Sequence, residues 1–209
     1  MTRQAAVRDY GGVSAEERRG DRRRRLLAAG RHTWGSSGVA DIGVRGVCRD
    51  AELAHRYFYE SFDNRDAFIV AIADQVRSEL MTTLVDASTA DGGTIEERLR
   101  AALTAFLLAV SDDPSMLSIM TADVSSVAGL ENRRRETLDL VAEVVLAHLA
   151  ALPGSTITGD AVPELHKAAQ FVVGGVNRLV ENWLIDRDVT VERLADTCTR
   201  LCMAAAAGV

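Results

Sequence analysis

The sequence predicts an all-α chain in two parts, an N-terminal three-helix domain containing a helix-turn-helix and a C-terminal helical domain. Three observations carry that expectation. Apolar residues recur at i, i+3, i+4 and i+7 in segment after segment, the spacing of one helix face. Only three prolines occur in 209 residues, at 114, 153 and 163, and alternating β-branched runs are scarce. Hydrophobic residues make up 47% of the chain but aromatics only 5%, so a sizeable core has to be built mainly from aliphatic side chains.

Residues 1–17 carry Gly11-Gly12 and little periodicity, and read as a mobile arm. The first helix begins at Ala15 or Gly20 and runs to Ser36, with Leu26, Leu27, Gly30 and Trp34 facing inward. Arg22 to Arg25 lie near its start. Consecutive helical residues point about 100° apart, so only one or two of these can share a surface. Val44, Val47, Cys48 and Ala51 form one face of a second helix, and Leu53 and Phe58 are the apolar positions of a short third. Arg45, His55, Arg56, Tyr57 and Tyr59 are left pointing outward. A polar, aromatic and basic helix of this size fits a major groove. The helix-turn-helix domain is placed at 18–63 and the second domain at 64–209.

The fourth helix, from Asn64 to about Ser88, carries the stripe Phe68, Ile72, Val76, Leu80 and Leu84. Asp91-Gly92-Gly93 is a break. Thr94 with Glu97 three residues on is a capping box opening the fifth helix, whose apolar set includes Leu99, Leu103, Phe106, Leu107 and Val110. Asp112-Asp113-Pro114 closes it and starts a short sixth helix through Met116, Ile119 and Met120. The seventh spans Ser126 to Leu152 and stops at Pro153-Gly154. Two further helices carry seam-like patterns: Leu165, Ala168, Val172, Val176, Leu179, Trp183, then Val191, Leu194, Cys198, Leu201, Ala205. Asp186-Arg187-Asp188 joins them. Steps of three and four are those of helix bundles, whether the partner is another subunit or a helix of the same chain.

The segment 22–72, about a quarter of the chain, resembles the DNA-binding domain of TetR-family transcriptional regulators. Trp34 and Gly38 stand for the aromatic and glycine that end the first helix. Val44-Arg45 opens the second, Val47-Cys48 replaces Ile-Ala, and Ala51 precedes the turn. Phe58-Tyr59 replaces Leu-Tyr in the recognition helix, Phe62 closes it, and Asn64-Arg65-Asp66-Ala67-Phe68 is similar to Ser-Lys-Glu-Ala-Leu. Three positions depart from the pattern: Gly43 in place of a Ser or Thr cap, Glu52 where the turn has Gly, and Ala54 in place of a Ser cap.

The resemblance implies a homodimeric, ligand-responsive repressor on double-stranded DNA. It makes Arg45, His55, Arg56, Tyr57 and Tyr59 DNA contacts and Arg65 a phosphate contact. Tyr57 and Tyr59 could instead be partly buried in the small core. The last two helices would form the dimer interface through Leu165, Val172, Val176, Leu179 and Trp183 on one and Leu194, Cys198 and Leu201 on the other. A cavity in the second domain would be lined by Leu103, Phe106, Leu107, Met116, Ile119, Met120, Phe171 and Asn177, residues that ordinary core packing would equally use. So lined, it favours a mostly apolar effector with one or two hydrogen-bonding groups and disfavours a highly anionic one.

Charge supports a nucleic-acid partner. Residues 1–60 hold 12 Arg against 8 acidic residues; of 24 basic and 30 acidic in all, 12 and 22 remain for the rest, so a head of +4 stands beside a body of −10. No run is long enough to cross a membrane and no secretory segment is recognisable, so a cytoplasmic location is expected. Cys198 and Cys202 lie four apart, a spacing open to a metal edge or a redox pair, but Cys at core positions is usually an apolar filler. No Gly-x-Ser-x-Gly elbow, phosphate loop or His-Glu-x-x-His pair occurs, so no catalytic residue, metal or cofactor is expected. The reading from a different class is a helical ligand-binding or scaffold protein that does not bind DNA specifically, which the weak caps at Gly43 and Ala54 keep open.

Overall fold

The structure, a computed structural model, describes residues 14–89, 93–123, 125, 127–150 and 162–207, with the side chains of 114, 145–150, 162–165 and 206–207 outside that description. All regular structure among the described residues is helical: α1 Ala15–Ser37, α2 Val44–Asp50, α3 His55–Tyr59, α4 Arg65–Thr89, α5 Ile95–Asp112, α6 Pro114–Met120, α7 Leu130–Ala150, α8 Val162–Asp186 and α9 Val191–Ala207, with one 3-10 turn at Val39–Asp41. The chain divides into two compact units, the first ending at Ile72 and the second beginning at Ala73. The division therefore falls inside α4, not ahead of it at residue 64. The expected arm up to residue 13, the breaks at Asp91-Gly92 and Pro153-Gly154 and the helix start at Ser126 lie outside the described residues.

α1 starts at Ala15, the earlier of the two expected starts. Ser14 Oγ accepts from Glu17 N–H at 3.1 Å and the Glu17 carboxylate accepts from Ser14 N–H at 2.6 Å, a complete capping box. Residues 15–17, read as arm, are its first turn. The anticipated box at α5 is present in the same form, Glu97 N–H donating to Thr94 Oγ1 at 3.2 Å and Thr94 N–H to Glu97 Oε2 at 2.8 Å. Hydrogen bonds from the capped backbone lower the pKa of both glutamates, because they favour the charged form.

The first unit closes around Leu26 and Trp34 of α1, Ile42 after the 3-10 turn, Val47 and Cys48 of α2, Phe58 of α3, Phe62, and Phe68, Ile69 and Ile72 of α4, all buried. Three phenylalanines form its centre, with ring centroids 5.4 Å (Phe58–Phe62), 5.1 Å (Phe58–Phe68) and 4.8 Å (Phe62–Phe68) apart. Gly30 lets α1 approach them closely.

The turn between α2 and α3 has Schellman geometry: Leu53 N–H donates to Cys48 O at 2.9 Å and Glu52 N–H to Arg49 O at 3.0 Å. The left-handed position belongs to Glu52, at φ 53°. The departure noted in the sequence is therefore carried as strain, since a side chain there costs about 1 kcal/mol. The Arg25–Glu52 ion pair, 3.7 Å long with Glu52 largely exposed, offsets little of it. Glu52→Gly is expected to stabilise the chain by about 1 kcal/mol in urea unfolding; a loss of stability would assign the turn to the ion pair instead.

In the second unit α5 packs along α9, α7 along α8, and α8 against α9. Leu103, Leu107 and Val110 of α5, Ala142 of α7, Ala169, Val173, Val180, Trp183 and Leu184 of α8, and Leu194, Ala195 and Cys198 of α9 are buried. Three residues of the expected interface, Trp183, Leu194 and Cys198, are thus buried within the unit. Leu194 and Cys198 are used inside the subunit. Trp183 donates its indole N–H to Val189 O at 2.7 Å and lies under Arg187 at 4.3 Å, locking the connection to α9. A seam pattern specifies a helical partner but not which one, and here much of it is met within the chain.

Candidate nucleic-acid interface

The helix-turn-helix is held by arginines of α1. Arg25 donates to Ala51 O at the C-terminus of α2, at 2.6 Å. Arg23 donates to Ser61 O at 3.0 Å and stacks on Phe62 at 4.4 Å. Arg19 donates to Glu60 O, and Arg22 pairs with the Glu60 carboxylate at 3.4 Å while lying over the Tyr57 ring at 4.5 Å. Cations at helix C-termini satisfy orphan carbonyls and oppose the negative end of the dipole. Arg24 alone of the run 22–25 is turned outward, onto Asp21 at 3.0 Å. The sequence allowed only one or two of these arginines to share a surface; the structure makes three of them internal ties.

On α3, His55 and Arg56 are exposed and Tyr59 is 61% exposed, and Arg45 is exposed near the start of α2. Tyr57 is half-buried between two guanidinium groups. Arg56 lies over its ring at 4.7 Å and donates from Nη2 to its hydroxyl at 2.8 Å. That bond favours the charged guanidinium and raises the Arg56 pKa. Tyr57 thus orients its neighbour Arg56. Gly43 and Ala54 make no side-chain cap, as their identities require.

Arg65 is placed otherwise than expected. Its Nε donates to Ile42 O at 2.7 Å and its Nη2 to Val39 O at 2.8 Å, with Asp66 at 3.5 Å. These bonds tie the start of α4 to the 3-10 turn and its flank; the N-terminus of α4 is capped by Asn64, whose Oδ1 accepts from Ala67 N–H at 2.8 Å.

Of the expected effector-site residues, Leu103, Leu107 and Ile119 are buried, and Phe106, Met116 and Met120 are half-buried. Asn177 donates to Glu181 Oε1 at 3.0 Å. Phe171 is 79% exposed, so it faces away from the interior of its unit and is withdrawn from the lining. It belongs to an outward face of α8 with Gly174, Gly175, Arg178 and Ile185, the last 74% exposed. Leu201 of α9 is 50% exposed; Val172, Val176 and Leu179 are half-buried, and the Leu165 side chain is outside the description. Burial raises the pKa of Cys198, and burial together with Cys198 pushes the Cys202 thiol up to about 11, so both stay protonated and behave as apolar fillers.

The fold is that of TetR-type transcriptional regulators. A TetR-family transcriptional regulator from Streptomyces coelicolor superposes with TM-score 0.70 at 14% identity, over 90% of this chain and 82% of the other. The transcriptional regulator FadR from Bacillus subtilis, solved in complex with stearoyl-CoA, gives 0.66 at 14% over 87% and 98%. A TetR-like transcriptional regulator from Rhodococcus sp. RHA1 gives 0.62 at 18% over 90% and 97%. No family model and no curated protein matches the sequence. No described helix is long and apolar enough to cross a membrane.

Proposed function

We propose that this chain is a ligand-responsive DNA-binding transcriptional regulator, a repressor that binds a pseudo-palindromic operator as a homodimer. The observation that carries the reading is the exposed surface of α3. Arg56 is oriented by Tyr57 and flanked by His55 and Tyr59, with Arg45 on α2. Arg pairs with guanine through two donors, and Tyr reaches phosphate or a thymine methyl. Footprinting on DNA flanking the gene tests it: two protected half-sites, about one helical turn or a multiple apart and weakened by salt, are expected. Equal affinity for any duplex, or none, would contradict it. The second reading, a helical ligand-binding or scaffold protein, draws on the uncapped starts of α2 and α3 and predicts no footprint.

Arg56→Ala is expected to lose roughly 1–3 kcal/mol of discrimination at one base pair. Tyr57→Phe, which keeps the ring under Arg22 and removes only the acceptor for Arg56, should lose a smaller part at the same base pair. Titrations on matched and scrambled sites check this; equal weakening on both sites would remove Arg56 from base reading.

The dimer is supported by the exposed apolar groups Phe171 and Ile185 of α8 and Leu201 of α9. Monomers rarely leave large apolar patches in water. Phe171→Glu with Leu201→Glu is expected to give monomers with weak operator binding. A wild-type protein sedimenting as a monomer at micromolar concentration would refute the dimer.

The effector is taken to be small and mostly apolar. The half-buried Phe106, Met116 and Met120 supply an adaptable apolar wall; the Bacillus subtilis FadR of like fold was solved with stearoyl-CoA, of which only the acyl part has this character. α4 belongs to both units and links them covalently. Release of DNA requires that the ligand bind the two states with different affinity.

A further inference from the structure

α4 carries a guanidinium into the interior of the second unit. The Arg77 side chain is 15% exposed, and Ala73, Val76 and Leu80, which flank it along the helix, are buried. Its Nη1 is shielded from solvent and has no hydrogen-bond partner among the described residues. The nearest carboxylate oxygen, Asp74 Oδ1, is 3.7 Å away, beyond hydrogen-bonding reach. That same oxygen is taken by Arg133 Nε of α7 at 3.2 Å, and Arg133 is held in turn by Glu136 at 2.7 Å.

The next residue of α7, Arg134, pairs with Glu181 of α8, which also receives Asn177 at 3.0 Å and Arg178 at 3.5 Å. Four guanidinium groups (Arg77, Arg133, Arg134, Arg178) thus share three carboxylates (Asp74, Glu136, Glu181), an excess of one positive charge. Burial lowers the pKa of Arg77, Asp74 opposes that, and Arg133 and Arg134 lower it further. The Asp74–Arg133 pair straps α4 to α7 and occupies the oxygen that Arg77, three residues further along α4, would otherwise take. A buried cation lacking acceptors is costly unless something anionic meets it.

A mostly buried aliphatic cluster begins one helical turn away on two of these helices. Leu138 follows Arg134 by four residues, Val173 precedes Asn177 by four, and both belong to an aliphatic cluster with Val141, Ala142 and Ala169. Charge excess and aliphatic cluster lie end to end along α7 and α8.

We infer that Arg77, with Arg133 and Arg134 beside it, receives the head of an amphiphilic effector bearing one carboxylate on an aliphatic tail. This rests on the effector reading above for the existence of a mostly apolar ligand and differs from it in place: the ligand is a monoanion, its tail lying toward the α7–α8 cluster and not toward Phe106, Met116 and Met120. Arg77 offers the fork that a carboxylate accepts through two oxygens. Arg133 and Arg134, 48% and 34% exposed, keep that end open to solvent.

The full chain, titrated with straight-chain carboxylates from octanoate to hexadecanoate and with the matching alcohols, tests this by calorimetry and thermal shift. Carboxylates of suitable length should bind and raise the melting temperature, and the alcohols should bind roughly tenfold or more weakly. Arg77→Met should remove that preference, and its ligand-free form should melt no lower than wild type, because a buried cation held only by a long, shared contact with Asp74 has been replaced by an apolar side chain. Acids and alcohols binding alike, no acid binding, or an Arg77→Met protein with its preference intact would each overturn the inference. If Arg77→Met does not fold, the acid-to-alcohol ratio of the wild type decides. A chain that binds acids in this way but protects no DNA keeps the anion site and loses the regulator; one that protects DNA and ignores acids does the reverse.

Discussion

Replacing Gly30 by valine is expected to unfold the N-terminal unit at temperatures where the native chain stands. A Cβ at this position would lie 2.5 Å from Phe68 Cζ, 2.7 Å from Phe68 Cε1 and 2.6 Å from Ile72 Cδ1. The ring cannot swing aside, because Phe58 and Phe62 pack it at 5.1 and 4.8 Å. Overpacking of this kind costs typically 1–3 kcal/mol, and valine adds three carbons, so about 3 kcal/mol is expected. In a unit of this size that lowers Tm by roughly 10–20 °C. Circular dichroism melts read it directly, and a variant melting close to wild type would show that Phe68 has somewhere else to go.

Arg65→Ala is the second large effect, and its character separates two roles for the residue. The guanidinium bonds the carbonyls of Ile42 and Val39. Hydrogen bonds to charged groups contribute about 1.5–3 kcal/mol each, so a loss of roughly 2–4 kcal/mol is expected once solvent partly re-satisfies the carbonyls. DNA affinity would fall on all sequences, because the head is less often folded. The dependence of log affinity on log salt would keep its slope, whereas removal of a true phosphate contact lowers that slope by about one. A stable variant with a reduced slope would restore the phosphate role.

What the sequence discloses here is mostly local. The Thr94–Glu97 box, the Asp113-Pro114 start of α6 and the uncapped Gly43 follow from neighbours within four residues. So does the helix-turn-helix itself, whose inward set Val47, Cys48, Ala51 and Phe58 is buried as expected. The Ser14–Glu17 box was equally local, but Gly11-Gly12 drew the boundary of the arm too far along.

Other features depend on partners distant in the chain. Arg23 and Arg25 meet carbonyls 38 and 26 residues away, and nothing in a run of arginines distinguishes an internal clamp from a DNA-facing patch. Arg77 sits alone in its segment, and only the folding of α7 brings the run Arg133-Arg134-Arg135 toward it. Periodicity found the buried faces of α8 and α9 but not who covers them: Trp183, Leu194 and Cys198 went to the subunit's own interior, while Phe171 stayed outside.

α3 has five residues, His55–Tyr59, and no side-chain cap at its start. A segment so short has no helical stability of its own in water. It persists because Phe58 is buried in the core and because Arg19, Arg22 and Arg23 hold its far end. Under the proposed function, folding and sequence reading are then a single equilibrium. An excised peptide spanning this helix would be a random coil with no preference for any operator, and the amides of α3 would exchange with solvent only as fast as the whole head opens. A head that opens transiently loses its message entirely and does not misread it.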